Sequence, residues 1–346
     1  MKHLAQIKTG ALPAELTQLT QLTPEDIANN LRRFIADKAA YSENTFRDLL
    51  SVIRRWAFWC NERDVGYLPI DPDLAREYFL NMAESGLASS TIDKHYAMMN
   101  MLCRESGLPE LRRSVDLKRS LKRIRREAVL QGERTGQAVP FRLPDLQLLS
   151  HLMGRSERLT DQRNLAFLFV AYNTLCRMSE LSRIRVRDLD ISDSGHVIIN
   201  LSHTKTMVTA AGVIKHLSRA AAGHLVHWLE LSGLIHHPDA MVFGPVRHNN
   251  TAGVSEKPMS APATEKIFKD AWDLLGKEPV QDNKGRYAKW SGHSARVGAA
   301  MDMAERDATI TQIMQEGTWQ DPKTVMRYLR RSESQKGKMS GILDGE

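Results

Sequence analysis

Cysteine is scarce in this chain: Cys60, Cys103 and Cys176 are the only three in 346 residues. They are odd in number, far apart and set among apolar, helix-patterned neighbours, which favours buried thiols over a disulfide framework or a metal site. Long apolar runs are missing too. None approaches the ~20 residues of a membrane span, and the opening MKHLAQIKTGALPAEL lacks the hydrophobic centre of a secretory signal. The sequence therefore reads as intracellular, with no membrane partner. No repeat of fixed period is evident. Acidic residues are outnumbered, 41 against 48 Lys and Arg, for a formal charge of +7, and this leans toward a polyanionic partner. Lys118, Arg119, Lys122, Arg123, Arg125 and Arg126 crowd one short stretch, and Arg177, Arg183, Arg185 and Arg187 another.

Up to residue 23 no sustained period appears, as in a flexible arm. Residues 24–129 then carry helical stripes: Ile27, Leu31 and Phe34; Leu49, Ile53, Trp56 and Cys60; Leu74, Tyr78 and Met82. A fourth helix, TIDKHYAMMNMLCRESG, has Ser89 and Ser90 as possible caps and Gly107 as its stop. A fifth turns Leu117, Leu121, Ile124 and Ala128 inward and its basic residues outward. This predicts a small helical domain, followed by an exposed linker over 130–139 where Gly, polar residues and Pro lack periodicity.

The second domain, 140–346, opens with a helix from near Pro144 to Met153 and continues with RNLAFLFVAYNTLC, apolar enough to be its core. Alternation at Val197, Ile199 and Leu201, followed by SHTKTMVTAAGVIKHL, predicts an antiparallel sheet of two or three strands with Lys205 at a hairpin tip. Helices resume around His224–Leu231 and Thr264–Leu275, separated by HPDAMVFGPVRHNNTAGVSEKPMS, which reads as a long polar surface segment. The fold class is thus mainly α with a small antiparallel β-sheet, in two domains.

The chemistry concentrates in WSGHSARVGAAMDMAERDATITQIMQEGTWQDPKTVMRYLRR, residues 290–331. His293 and Arg296 lie three apart in the first turn of a small-residue helix, on one face. Ile310 to Gln315 makes a second short helix stopped by Gly317, and Pro322 starts a third that presents Tyr328. A phosphodiester suits this set: Arg offers a rigid donor fork for phosphate oxygens, His and Trp319 add N–H donors, and a Tyr hydroxyl can attack phosphorus. A helix N-terminus also favours the anion. Taken singly, each residue has a structural reading, with His293 capping a turn, Trp319 in the core and Tyr328 at an amphipathic tip. Arg177, at the end of a buried helix, either pairs with Glu180 or serves a ligand.

Arg177 with Glu180, then Lys205, His293-x-x-Arg296, Trp319 and Tyr328, in that order behind a helical domain, resembles the tyrosine site-specific recombinases of the phage integrase family, specifically the Cre-like branch. The wording AYNTLCRMSELSRIRVRDLD, KWSGHSARVGAA and IMQEGTW carries the likeness, which extends from about Ala40 over nearly all of the remaining chain. The resemblance implies a C-shaped clamp on double-stranded DNA, made of a helical DNA-binding domain and a tyrosine recombinase catalytic domain. It also implies a 3′-phosphotyrosyl intermediate through Tyr328, with neither ATP nor any metal or other cofactor. Arg177, Arg296 and Trp319 would hold the phosphate, Lys205 would protonate the leaving oxygen, His293 would assist Tyr328, and Glu180 would support the site. Self-association to a tetramer on two DNA sites, a dimer per site, is implied as well, with Met339, Ile342 and Leu343 on an exchanged C-terminal helix. Those apolar residues folding back on their own domain is the alternative.

Arg47, Lys94, Arg119, Lys122, Arg123, Arg247, Lys266 and Lys269 are the candidate DNA contacts, as phosphate grips rather than base readers. Where the Cre type has a groove-reading Arg early in the helix corresponding to Pro262–Leu275, this chain has Pro262, so its target site should differ. Two other readings fit the same residues in part: a nicking and closing enzyme of the type IB topoisomerase kind, and a DNA-binding regulator without turnover.

Overall fold

Helix starts in this chain are written in its capping residues. The computed structural model describes residues 22–134, 136–201, 212–280 and 287–333, and the chain divides between Thr135 and Gly136 into two units. The first holds, among the described residues, helices α1 (Pro24–Ala36), α2 (Glu43–Asn61), α3 (Pro72–Glu84), α4 (Ser89–Ser106) and α5 (Val115–Leu130). Thr23 and Asp26 form a capping box ahead of α1, while Ser42, Asp71 and Ser114 cap α2, α3 and α5, each side-chain oxygen accepting an otherwise unpaired N–H. Gly107 ends α4 at φ 79°, a left-handed conformation that glycine adopts without penalty. The expected caps of α4 are displaced. Ala88 holds the cap position, and Ser89 is already helical. Its N–H and hydroxyl instead donate to the Glu133 carboxylate at 3.1 and 2.9 Å, tying α4 to the chain that follows α5.

The predicted stripes form this unit's core. Ile27, Leu31, Phe34, Leu49, Trp56, Cys60, Tyr78 and Met82 are buried, whereas Ile53, Leu74 and Ala128 are half-buried. Trp56 stacks on Trp59 at 5.4 Å and meets Tyr78 edge-on at 5.2 Å, arrangements the ring quadrupoles favour.

The second unit runs through α6 (Leu143–Met153), α7 (Leu159–Thr174), the single turn α8 (Met178–Leu181), strands β1 (Leu189–Ile191), β2 (Val197–Leu201) and β3 (Val213–His216), then α9 (Arg219–Ser232), α10 (Ala261–Leu274), α11 (Ser294–Ala304), α12 (Ile310–Gly317) and α13 (Pro322–Glu333). Every residue from Asn164 to Ala171 is buried, as the apolar run demands of a central helix. The three strands are antiparallel in the order β1-β2-β3, with Leu201 opposite Val213 and Ile199 opposite Lys215. Val197, Ile199 and Leu201 share the buried face.

One expectation fails here. The segment before α10 is not all surface: Ala240, Met241, Val242 and Phe243 are buried, and the Val242 carbonyl accepts from the indole N–H of Trp228 at 2.8 Å. Four apolar residues in a polar stretch find a place in the core that periodicity over so short a run does not signal. A separate cluster joins α11, α12 and α13 through Val297, Ala300, Ile313, Trp319, Val325 and Leu329. No helix among the described residues is long and apolar enough to cross a membrane.

Candidate active site

Arg296 is the centre of the second unit's polar geometry. It lies in the first turn of α11 and is only 2% exposed, so its charge requires internal partners. Two backbone carbonyls supply them. Nη1 donates to Leu175 O and Nη2 to Gly317 O at 3.0 Å. Leu175 caps the C-terminus of α7 and Gly317 is the last residue of α12, so the negative ends of two helix dipoles converge on one guanidinium. Both helices end in a left-handed residue that is not glycine, Leu175 and Thr318, each at φ 52°. Such conformations cost about 1 kcal/mol, and here they turn the terminal carbonyls toward Arg296. Burial, and next the charge of Arg177, lower the Arg296 pKa to about 10.

The left-handed turn at Leu175 also delivers Arg177, which is half-buried. Its Nη1 donates to Glu180 Oε1 and its backbone N–H to Glu180 Oε2, both at 2.8 Å. The sequence left a choice between an ion pair and a ligand-serving Arg; the ion pair is present, and it leaves part of the guanidinium accessible. Glu180 is buried.

Trp319 lies under the Arg296 guanidinium, 4.4 Å from ring centroid to Cζ, a cation–π contact. Tyr328, half-buried on α13, packs against Trp319 with ring centroids 5.7 Å apart. Gln137 Nε2 donates to the Tyr328 carbonyl at 3.3 Å. Gly317 does not act as the expected stop, because α12 includes it and Thr318 is the cap. Its role is spatial: a Cβ there would sit 1.9 Å from the Trp319 ring. His293 holds the N-cap position of α11 without a side-chain cap bond. It is exposed while Arg296 is buried, so the two do not share a face in the way i, i+3 spacing suggests. The turn before it is fixed by Ser294 Oγ, which accepts from Ser291 N at 2.8 Å. Lys205 and the apolar residues Met339, Ile342 and Leu343 lie outside the described residues.

Two groups that the sequence reading missed are built into this region. Lys215, on the buried face of β3, is 5% exposed and donates from Nζ to Glu316 O; burial lowers its pKa. The signal was its register, two residues after Val213 on an inward face. Asp302, on α11, is buried and accepts from Arg142 Nε at 2.7 Å, Leu143 N at 2.9 Å and the Tyr172 hydroxyl, which ties α11 to α6 and α7. Cys176 is buried beside Arg177, and burial raises its pKa, which keeps it an inert thiol.

Of the other cations, Arg185 and Arg187 both bind Asp239, the first through its backbone oxygen and the second through its carboxylate. Lys94, Arg119, Arg123 and Lys266 are exposed and paired with Asp48, Asp116, Glu127 and Asp270 at 3.3, 3.2, 3.7 and 2.7 Å. Arg47, Lys122, Arg247 and Lys269 are exposed as well, and Pro262 lies in the first turn of α10.

The profile of the phage integrase family matches residues 145–335, a span that contains Arg177, Glu180, His293, Arg296, Trp319 and Tyr328. Over 336 residues the chain is 40% identical to the recombinase Cre of Escherichia phage P1, covering 96% of each. The chain belongs to the phage integrase family. It is a Cre-like tyrosine recombinase, an enzyme of the class that works through a phosphotyrosine intermediate. An integrase/recombinase XerD homologue of Selenomonas ruminantium is 24% identical over 87% of this chain and 84% of its own. Among solved structures, the Tn1549 transposon integrase in complex with transposon right end DNA superposes with a TM-score of 0.59 at 12% identity, covering 91% of this recombinase and 99% of that chain. That likeness concerns the fold.

Proposed function

We propose that this recombinase exchanges strands between two short inverted-repeat DNA sites, with Tyr328 as the nucleophile. The observation that carries the reading is the convergence of Arg296 on α11, Trp319 in the turn between α12 and α13, and Tyr328 on α13, on one spot of the second unit. The Tyr328 hydroxyl attacks the scissile phosphorus and the P–O5′ bond breaks. This leaves a 3′-phosphotyrosyl bond and a 5′-hydroxyl. His293 takes the phenolic proton, since a neutral phenol is a poor nucleophile unassisted. Lys205 gives a proton to the leaving oxygen. Arg177 and Arg296 meet the non-bridging oxygens as charge gathers on five-coordinate phosphorus, and the Trp319 N–H adds a donor. Glu180 holds Arg177 in place. A 5′-hydroxyl from the partner strand then attacks the phosphotyrosine, which restores the bond without ATP, a metal or another cofactor.

Four protomers, two on each site, would carry this through a Holliday junction, with the C-terminal residues exchanged head to tail around the ring. Phosphates are gripped by the exposed face of α5, where Arg119, Lys122 and Arg123 stand, and by Arg47, Lys94, Arg247, Lys266 and Lys269. The carboxylate partners of four of these are solvent-exposed pairs worth about 0.5 kcal/mol each, which phosphate displaces at little cost. With Pro262 unable to read a base edge, the target differs from that of Cre. A plasmid carrying two copies of the target tests the reading. Recombined circles support it, and relaxed circles without exchange would point to nicking and closing instead.

A further inference from the structure

Lys215 is buried in the catalytic unit and has no part in the reaction just described. A lysine on the inward face of a strand loses hydration that only a specific partner can replace. Nothing in β3 requires it there: Val213 two residues earlier and Ile199 opposite are apolar, and Ile214 on the other face is exposed. Its partner is the carbonyl of Glu316, the residue before Gly317 in the last turn of α12. Two consecutive carbonyls at that helix end therefore accept from two cations, Glu316 O from Lys215 and Gly317 O from Arg296. Helix-terminal carbonyls lack partners within the helix and carry the negative end of its dipole, so both contacts are favourable although the cations repel each other.

The strand that carries Lys215 is itself anchored. Asn173, in the last turn of α7, donates to His216 O at 2.9 Å and accepts from Ser218 N at 2.8 Å. The sheet edge, the end of α7 and the end of α12 are thus linked around Arg296, with Trp319 two residues past Gly317.

We propose that Lys215 is a positioning residue for strand cleavage: by fixing the Glu316 carbonyl it fixes the end of α12, and through the Gly317 carbonyl and Trp319 it fixes the Arg296 guanidinium. The inference rests on the assignment of Arg296 to the scissile phosphate. Removing the ammonium leaves the α12 terminus one donor short and lets the Gly317 carbonyl shift. Displacements near 1 Å at a catalytic group lower rates by about a hundredfold.

The test uses the full-length protein with Lys215→Met, which keeps an unbranched apolar stem and removes the ammonium, and Lys215→Gln, which keeps a neutral N–H donor one atom short of the ammonium. Single-turnover formation of the covalent adduct is followed on nicked DNA at saturating protein, beside DNA affinity and melting temperature. Adduct formation in Lys215→Met should be slowed by about thirty- to a hundredfold with affinity within about threefold of the parent. The deficit should persist when sulfur replaces the bridging 5′-oxygen, since a better leaving group bypasses a missing proton donor but not a misplaced Arg296. A parent-like rate in both variants overturns the proposal. So does full rescue by the sulfur substrate, which would make Lys215 the acid, and so does failure of both variants to fold. Failure of the parent itself to form an adduct would instead refute the assignment beneath it.

Discussion

Gly298 is the position where the smallest change should have the largest effect. It lies in α11 two residues after Arg296, where the helix crosses the backbone of Phe141, and the contact is reinforced by Phe141 N donating to Ser294 O at 3.0 Å. A Cβ at Gly298 would fall 1.7 Å from the Phe141 carbonyl oxygen and 2.4 Å from its carbon, both backbone atoms that no rotamer change can move aside. Restoring ordinary contact requires α11 and the Phe141 segment to part by ~1.5 Å, which is the scale on which overpacking costs about 1–3 kcal/mol. The helix propensity gained by Gly→Ala returns less than about 1 kcal/mol. Net destabilisation of about 1–2 kcal/mol should lower the melting temperature of a unit this size by about 2–8 °C. The effect on cleavage should be larger, because His293 and Arg296 move with the helix, and about a hundredfold is the expected loss per ångström. Gly298→Ala is therefore predicted to remain folded and bind DNA while forming adduct at about one-hundredth of the parent rate. Unchanged melting together with unchanged cleavage would refute the close-packing argument.

Asp302→Ala removes the buried acceptor shared by Arg142, Leu143 N and Tyr172, and stranding those half-buried donors should cost about 3 kcal/mol, read as a drop of about 6–12 °C in melting temperature; a loss under about 1 kcal/mol would mean the network is not what joins α11 to α6 and α7. His95 is buried, with Nδ1 2.9 Å from the Tyr78 hydroxyl, and burial, then the charges of Arg55 and Lys94, lower its pKa from 6.5 to about 4. The unfolded chain thus binds more protons than the native one between those values, so the contribution is full above pH 6.5 and is lost as pH falls toward 4. Melting of the parent should fall more steeply across that window than melting of His95→Gln, and parallel profiles would count against a neutral buried His95.

Much of the fold was legible because its signals are local. Apolar stripes mark α1, α2, α3 and α5, an unbroken apolar run marks α7, and alternation marks β2. Caps were less so: Ser89 resembles an N-cap, but Glu133, forty-four residues away, recruits it for another bond. The candidate site residues stood out by their types, yet the geometry around them did not. That Arg296 is held by the ends of α7 and α12 depends on turns at Leu175 and Thr318 in a conformation neither residue prefers. Lys215 and Asp302 escaped notice because their partners lie 101 and 160 positions away, beyond any periodicity. The buried stretch Ala240–Phe243 was masked by its polar flanks.

In the proposed reaction Tyr328 becomes covalently joined to DNA. Protein incubated with nicked DNA fragments carrying the target, resolved on a denaturing gel and then digested for mass mapping, tests it directly. An adduct at the 3′ end of the cleaved strand, located on the peptide containing Tyr328 and abolished in Tyr328→Phe while that variant still binds DNA, is the predicted result. An adduct on another residue, or an undiminished adduct in Tyr328→Phe, would contradict it.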